Sequence, residues 1–111
     1  MDFATYQSLA ERTARTDRET SLRMSNAALG LAGEAGEAVE IVKKHLHHGH
    51  ALDQARLQKE VGDVLWYVAE LCSVAGIALD DAASGNIEKL RARYPEGFEE
   101  ARSQTRAPGD D

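Results

Sequence analysis

The stretches GLAGEAGEAVEIVKK, Gly30 to Lys44, and LQKEVGDVLWYVAEL, Leu57 to Leu71, decide the fold. Both carry apolar residues at the period of an α-helix rather than of a strand. In the first, Leu31, Ala35, Ala38, Val42 and Leu46 fall on one arc; Glu34 lies inside that arc and Glu37 on its border, while Glu40 lies opposite. The second repeats the arrangement: Leu57, Val61, Val64, Val68, Leu71 and Ala75 form the arc, with Glu60 inside it and Asp63 on its border. The link HHGHAL between them is short, and short links make antiparallel neighbours. Glu34 and Asp63 are equally far from the His48–Gly49 turn, as are Glu37 and Glu60. At about 1.5 Å rise per residue, the two acidic pairs then share a level.

Working outward, Phe3, Tyr6, Leu9 and Ala10 predict a first helix from about Asp2 to Arg15. Thr16 and Glu19 stand at capping-box spacing and predict the start of a long second helix that runs to about His47. Asp53 is the expected N-cap of the third, which stops at Gly76; Asp80 is the expected cap of a fourth, ending near Tyr94 before Pro95. The expectation is an all-α, four-helix bundle with antiparallel central helices, comprising residues 1–98 as one domain and a flexible tail over 99–111.

Composition bounds the function. The 111 residues are 42% hydrophobic and 29% charged, which suits a soluble globular domain. A formal net charge of −6 argues against binding a nucleic-acid polymer through a basic surface. Cys72 is the only cysteine, which fits a reducing cytoplasm; no apolar run is long enough for a membrane span, and the N-terminus does not read as a signal peptide.

The acids carry the chemistry. Four carboxylates turned toward one interior point cannot all stay ionised unaided, because mutual repulsion and desolvation favour protonation. A hard divalent cation such as Mg²⁺ resolves this, since it takes oxygen ligands and bridges to phosphates. The plainer alternative is a set of solvated acids on a glutamate-rich surface. A carboxylate-bridged di-iron bundle would need Glu-x-x-His motifs on facing helices, and none occurs. In HLHHGH the histidines surround a glycine turn, and His45 and His47 cannot share a helix face.

The motifs EAGE (Glu34 to Glu37) and EVGD (Glu60 to Asp63), with NIEKLRARYPEGF following, make the chain from about Ala27 to Phe98 resemble the MazG-like family of all-α nucleoside triphosphate pyrophosphohydrolases. The resemblance implies Mg²⁺-dependent cleavage, with Mn²⁺ as a substitute, of a nucleoside triphosphate to monophosphate and pyrophosphate. It implies Glu34, Glu37, Glu60 and Asp63 as metal ligands and catalytic residues. It points to Lys44, Tyr67, Asn86, Lys89 and Arg93 as substrate-binding candidates. Some relatives have a further acid where this chain has Gly33, so the water-activating base stays open, with Glu37 a candidate. The family also implies a homodimer or homotetramer. That agrees with Trp66, which points away from the apolar arc, and with Gly33 and Gly36, which leave a second helix face open to close approach. The alternative is a helical nucleotide-binding or regulatory module with little catalysis.

Overall fold

The computed structural model describes residues 1–106 and 108–109. Its helices are α1 Phe3–Glu11, α2 Thr20–His47, α3 Gln54–Ala75, α4 Leu79–Arg93 and α5 Glu100–Gln104. Among the described residues no strand forms; Pro95 and Gly97 make one isolated bridge. The fold is therefore all-α, with five helices where the sequence predicts four. The additional one, α5, lies inside the segment expected as a tail, of which Ala107, Asp110 and Asp111 fall outside the described residues. The chain divides into two compact units, residues 1–79 and the segment from Asp80 onward.

In the first unit, α2 and α3 share one seam. Arg23 meets Glu70, Gly30 meets Tyr67, and Glu34 gathers with Glu60 and Asp63. As numbers rise along α2 they fall along α3, so the two helices are antiparallel. Both ends of α3 are capped as the sequence predicts. Asp53 accepts from the Arg56 N–H at 3.1 Å, and Gly76 ends α3 with φ +74°, a conformation that costs glycine little.

Gly30 explains one glycine of the opening stretch. A Cβ there would fall inside the Tyr67 ring, so the bare backbone is what lets α3 approach α2. A Cβ at Gly33 or Gly36 would meet nothing within 4 Å in this chain.

Three sequence expectations change. α1 stops at Glu11 rather than Arg15, where Thr13 folds its hydroxyl back onto the Ala10 carbonyl at 2.7 Å. α2 starts at Thr20 rather than after Thr16, and Asp17 pairs with Arg15 at 3.0 Å in the intervening turn. The buried face of α2 is rotated from the expected arc: Ala27 and Ile41 are buried, whereas Leu46 is 66% exposed. A small error in phase grows along a helix of 28 residues.

α1 packs on α3 through Ala10, Ala69 and Leu79, flanked by Tyr6, Trp66, Val68 and Cys72. Gln7 fastens the joint. Its amide nitrogen donates to Ser73 Oγ at 3.1 Å and to the Ile77 carbonyl at 2.9 Å, while its oxygen accepts from the Leu79 N–H at 2.8 Å. Trp66 belongs to this packing and donates its indole N–H to Thr13 Oγ1 at 2.8 Å. Pointing away from the apolar arc thus does not leave Trp66 to a second chain: the residues around Ala10 cover a flank of α3 outside the α2-facing arc.

Candidate active site on the α2–α3 seam

Glu34 sits at the middle of α2, one turn beyond Gly30. Glu60 and Asp63 are one turn apart on α3, a spacing that puts both on the same helix face. Each offers an oxygen, and the three oxygens lie within 4.8 Å of one another. Glu34 and Glu60 are half-buried and Asp63 is exposed. A hydrogen bond with Glu60 is the main reason that the Glu34 carboxyl is pushed up to about 7; desolvation and the charges of Glu60, Asp63 and Glu37 add to it. Glu60 Oε2 is buried with no hydrogen-bond partner.

An orphaned carboxylate oxygen beside two further carboxyls is a costly arrangement unless something positive completes it. Lys43, more than two turns farther along α2, does not: it pairs with Glu40 at 3.6 Å. Three hard oxygen donors around one point suit a Mg²⁺- or Mn²⁺-type ion by both ligand class and charge. The donor set therefore fits the cation the sequence calls for.

Of the other sequence candidates, Glu37 is exposed and stands outside the trio, although its charge reaches Glu34. Tyr67 is half-buried, laid against Gly30 and edge-on to Trp66 at 5.0 Å between ring centres. Lys44 is half-buried and lines a separate cavity at the turn between α2 and α3. Asn86, Lys89 and Arg93 lie on α4, in the second unit. Asn86 and Lys89 are exposed, and the Arg93 guanidinium stands 6.0 Å from the centre of the Tyr94 ring.

One residue near the site escapes sequence reasoning. Burial, and secondarily the charge of Asp63, raise the pKa of the Tyr6 hydroxyl, so α1 carries a phenol toward the acids. In the sequence Tyr6 is only a member of an apolar stripe. Nothing in its spacing shows that α1 lies along α3.

Residues 23–98 match the MazG nucleotide pyrophosphohydrolase domain. Among curated proteins, the chain is similar to the gene 37 protein of Mycobacterium phage L5, with 37% identity over 78 residues that cover 67% of this chain and 68% of the phage protein. It is also similar to mouse dCTP pyrophosphatase 1, with 33% identity over 92 residues, 78% of this chain and 54% of the mouse protein. The match thus spans about half the length of the mouse relative. No solved structure matches the chain significantly.

Proposed function

We propose, from the premise that the chain belongs to the MazG nucleotide pyrophosphohydrolase family, that it hydrolyses nucleoside or deoxynucleoside triphosphates to monophosphate and pyrophosphate as a house-cleaning enzyme of the nucleotide pool. The observation that carries this reading is the trio Glu34, Glu60 and Asp63, with its unpartnered Glu60 oxygen. With Glu37 at its edge, the trio would hold Mg²⁺, with Mn²⁺ as a substitute. When bound, such a cation polarises phosphate oxygens and lowers the pKa of a water molecule.

The chain's own residues have separable roles in this reading. Glu34 holds a proton near neutral pH in the metal-free chain and releases it when the site is loaded. Glu37, exposed and outside the trio, is the candidate to accept a proton from the attacking water. The water oxygen bonds to one phosphorus of the α–β anhydride, the bridging P–O bond breaks, and its electron pair leaves with the departing phosphate group, giving monophosphate and pyrophosphate. Tyr67 contacts the nucleotide, while Asn86, Lys89 and Arg93 bind its phosphates and sugar. The cationic groups are needed because triphosphate carries more charge than the metal neutralises.

Residues 1–98 act as one domain in this reading, supported by a family match that runs through the boundary between the two compact units. A homodimer or homotetramer is supported by an apolar groove of about 460 Å³ beside Ala38, Val39, Val42, Leu46 and Leu57, which a second chain would cover. A cytoplasmic location is proposed from the single cysteine, which allows no disulfide within the chain.

The test is a panel of common and oxidised NTPs and dNTPs with Mg²⁺ or Mn²⁺, run in ¹⁸O-labelled water with phosphorus detection. The expected first products are monophosphate and pyrophosphate, and the position of the label shows which phosphorus the water attacks. Diphosphate and orthophosphate as first products, or no turnover across the panel, would overturn the assignment.

A further inference from the structure

At the turn end of the α2–α3 seam lies a cavity of about 370 Å³, lined by Ile41, Lys44, His50, Ala51, Asp53 and Arg56. That volume is within the range of small-molecule sites. The chain as a whole is acidic, with a net charge of −6, so a cavity walled by lysine, arginine and histidine is a local reversal. We propose that this cavity is an anion site, distinct from the carboxylate trio, that takes a small phosphate-class anion, with pyrophosphate as its type ligand.

The geometry supports this in four ways. Lys43 and Lys44 are adjacent, yet they diverge: Lys43 pairs with Glu40 at 3.6 Å, whereas Lys44 lines the cavity. Among the described residues no carboxylate forms an ion pair with Lys44 or Arg56, so both cations are available to a ligand. The one acid in the wall, Asp53, is turned to the Arg56 backbone N–H at 3.1 Å as the cap of α3, and the two cations outnumber it. The wall is held in shape from behind, because the His50 N–H donates to the Lys44 carbonyl at 3.2 Å and His45 Nδ1 meets the His50 carbonyl at 2.8 Å. Two cations and an imidazole about a concave floor suit an anion with several oxygens, since the guanidinium fork takes two of them and the ammonium a third.

The cavity is close to the trio but separate from it. Arg56 lies one turn before Glu60, about 6 Å along the helix axis, and buried Ile41 forms part of the cavity wall. The inference does not depend on the proposed hydrolase reaction, because an anion can occupy this cavity whether or not the trio catalyses anything.

The full chain, freed of metal on a chelating resin, is titrated with sodium pyrophosphate by calorimetry and by ¹H–¹⁵N NMR. Parallel arms use inorganic phosphate and a nucleoside monophosphate. The expected result is saturable pyrophosphate binding that shifts the His50, Ala51 and Arg56 amides and persists in Glu34→Gln. Lys44→Gln and Arg56→Gln, which keep much of the side-chain length, should each weaken it about tenfold. Binding of the monophosphate alone would show that a base rather than a phosphate is recognised, and would overturn the ligand class. No saturable binding, shifts confined to the neighbourhood of Glu34 and Asp63, or unchanged affinity in both glutamine variants would overturn the site.

Discussion

Glu70 and Glu60 both lie on α3, both are withdrawn from water on the α2 side, and they are completed in opposite ways. Glu70 is 6% exposed and is closed by Arg23 of α2, whose Nη2 and Nε donate to its two oxygens at 2.7 and 3.4 Å. Glu11 of α1 adds a longer contact to the same guanidinium at 3.9 Å. Glu60, farther down the same seam, faces Glu34 and Asp63 instead of a cation and keeps a buried oxygen with no partner. A carboxylate with its own arginine is a fastening between helices. A carboxylate among carboxylates has no such fastening, and here the crowding is relieved by a proton that Glu34 retains to about pH 7. The same residue type is thus paired within the chain at one end of the seam and left with an unpartnered oxygen in the middle.

That contrast breaks most visibly at Arg23. Arg23→Met leaves Glu70 buried and unpaired, and should lower unfolding stability by about 3 kcal/mol or more in urea titration. The double variant Arg23→Met/Glu70→Leu should recover most of that loss, since it removes both charges from the seam. An unchanged urea midpoint in the single variant would show that the pair fastens nothing.

At the other carboxylate the effect falls on activity instead. Glu60→Gln and Glu34→Gln should each reduce turnover by about a hundredfold or more. Their metal-free melting temperature should hold or rise, because one charge leaves a repelling set. Full turnover in either purified variant would remove that residue from the ligand set.

The glycines sharpen the comparison between a packed and an open part of one helix. Gly30→Ala forces a methyl into the Tyr67 ring and should cost about 1–3 kcal/mol. Gly33→Ala meets nothing within 4 Å in this chain and gains helix propensity, so the monomer should be stabilised by up to about 1 kcal/mol. Equal effects at the two positions in thermal melts would contradict this packing.

The smallest expected effect is in pH. The Glu34 carboxyl is raised from 4.5 to about 7 in the folded chain. Between those values the folded chain holds a proton that the unfolded chain has released. This group's contribution to metal-free stability is therefore fully present below pH 4.5 and is lost as pH rises through about 7. Metal binding displaces the same proton, so Mg²⁺ affinity should climb up to about tenfold per pH unit below 7 and level off above it. Calorimetry across that range checks the slope, and Glu34→Gln should flatten it.

Much of the arrangement is legible along the chain itself. Periodicity locates α2 and α3, Asp53 and Gly76 mark a start and a stop, and mirror placement about His48–Gly49 foretells that Glu34, Glu60 and Asp63 meet. Those are local properties: spacing along a helix, a cap, a turn residue. The phase of α2 is less legible, since Ile41 rather than Leu46 is buried, and the sequence alone does not fix how far a long helix rotates against its partner. Gly30 has no reason legible in the sequence, because its reason is a ring on another helix.

The sequence by itself determined that this chain is helical, that its central hairpin is antiparallel, and that acids recur on the inward side of both arms. Only the tertiary structure decided which carboxylates are neutralised from within. Arg23 and Glu70 are far apart in the chain, and so are Trp66 and Thr13, Gln7 and Leu79, or Tyr6 and Asp63; no periodic pattern links them. Whether a buried acid has a cationic partner depends on distances between helices, and those are set by packing of the whole unit rather than by the order of residues in any one stretch.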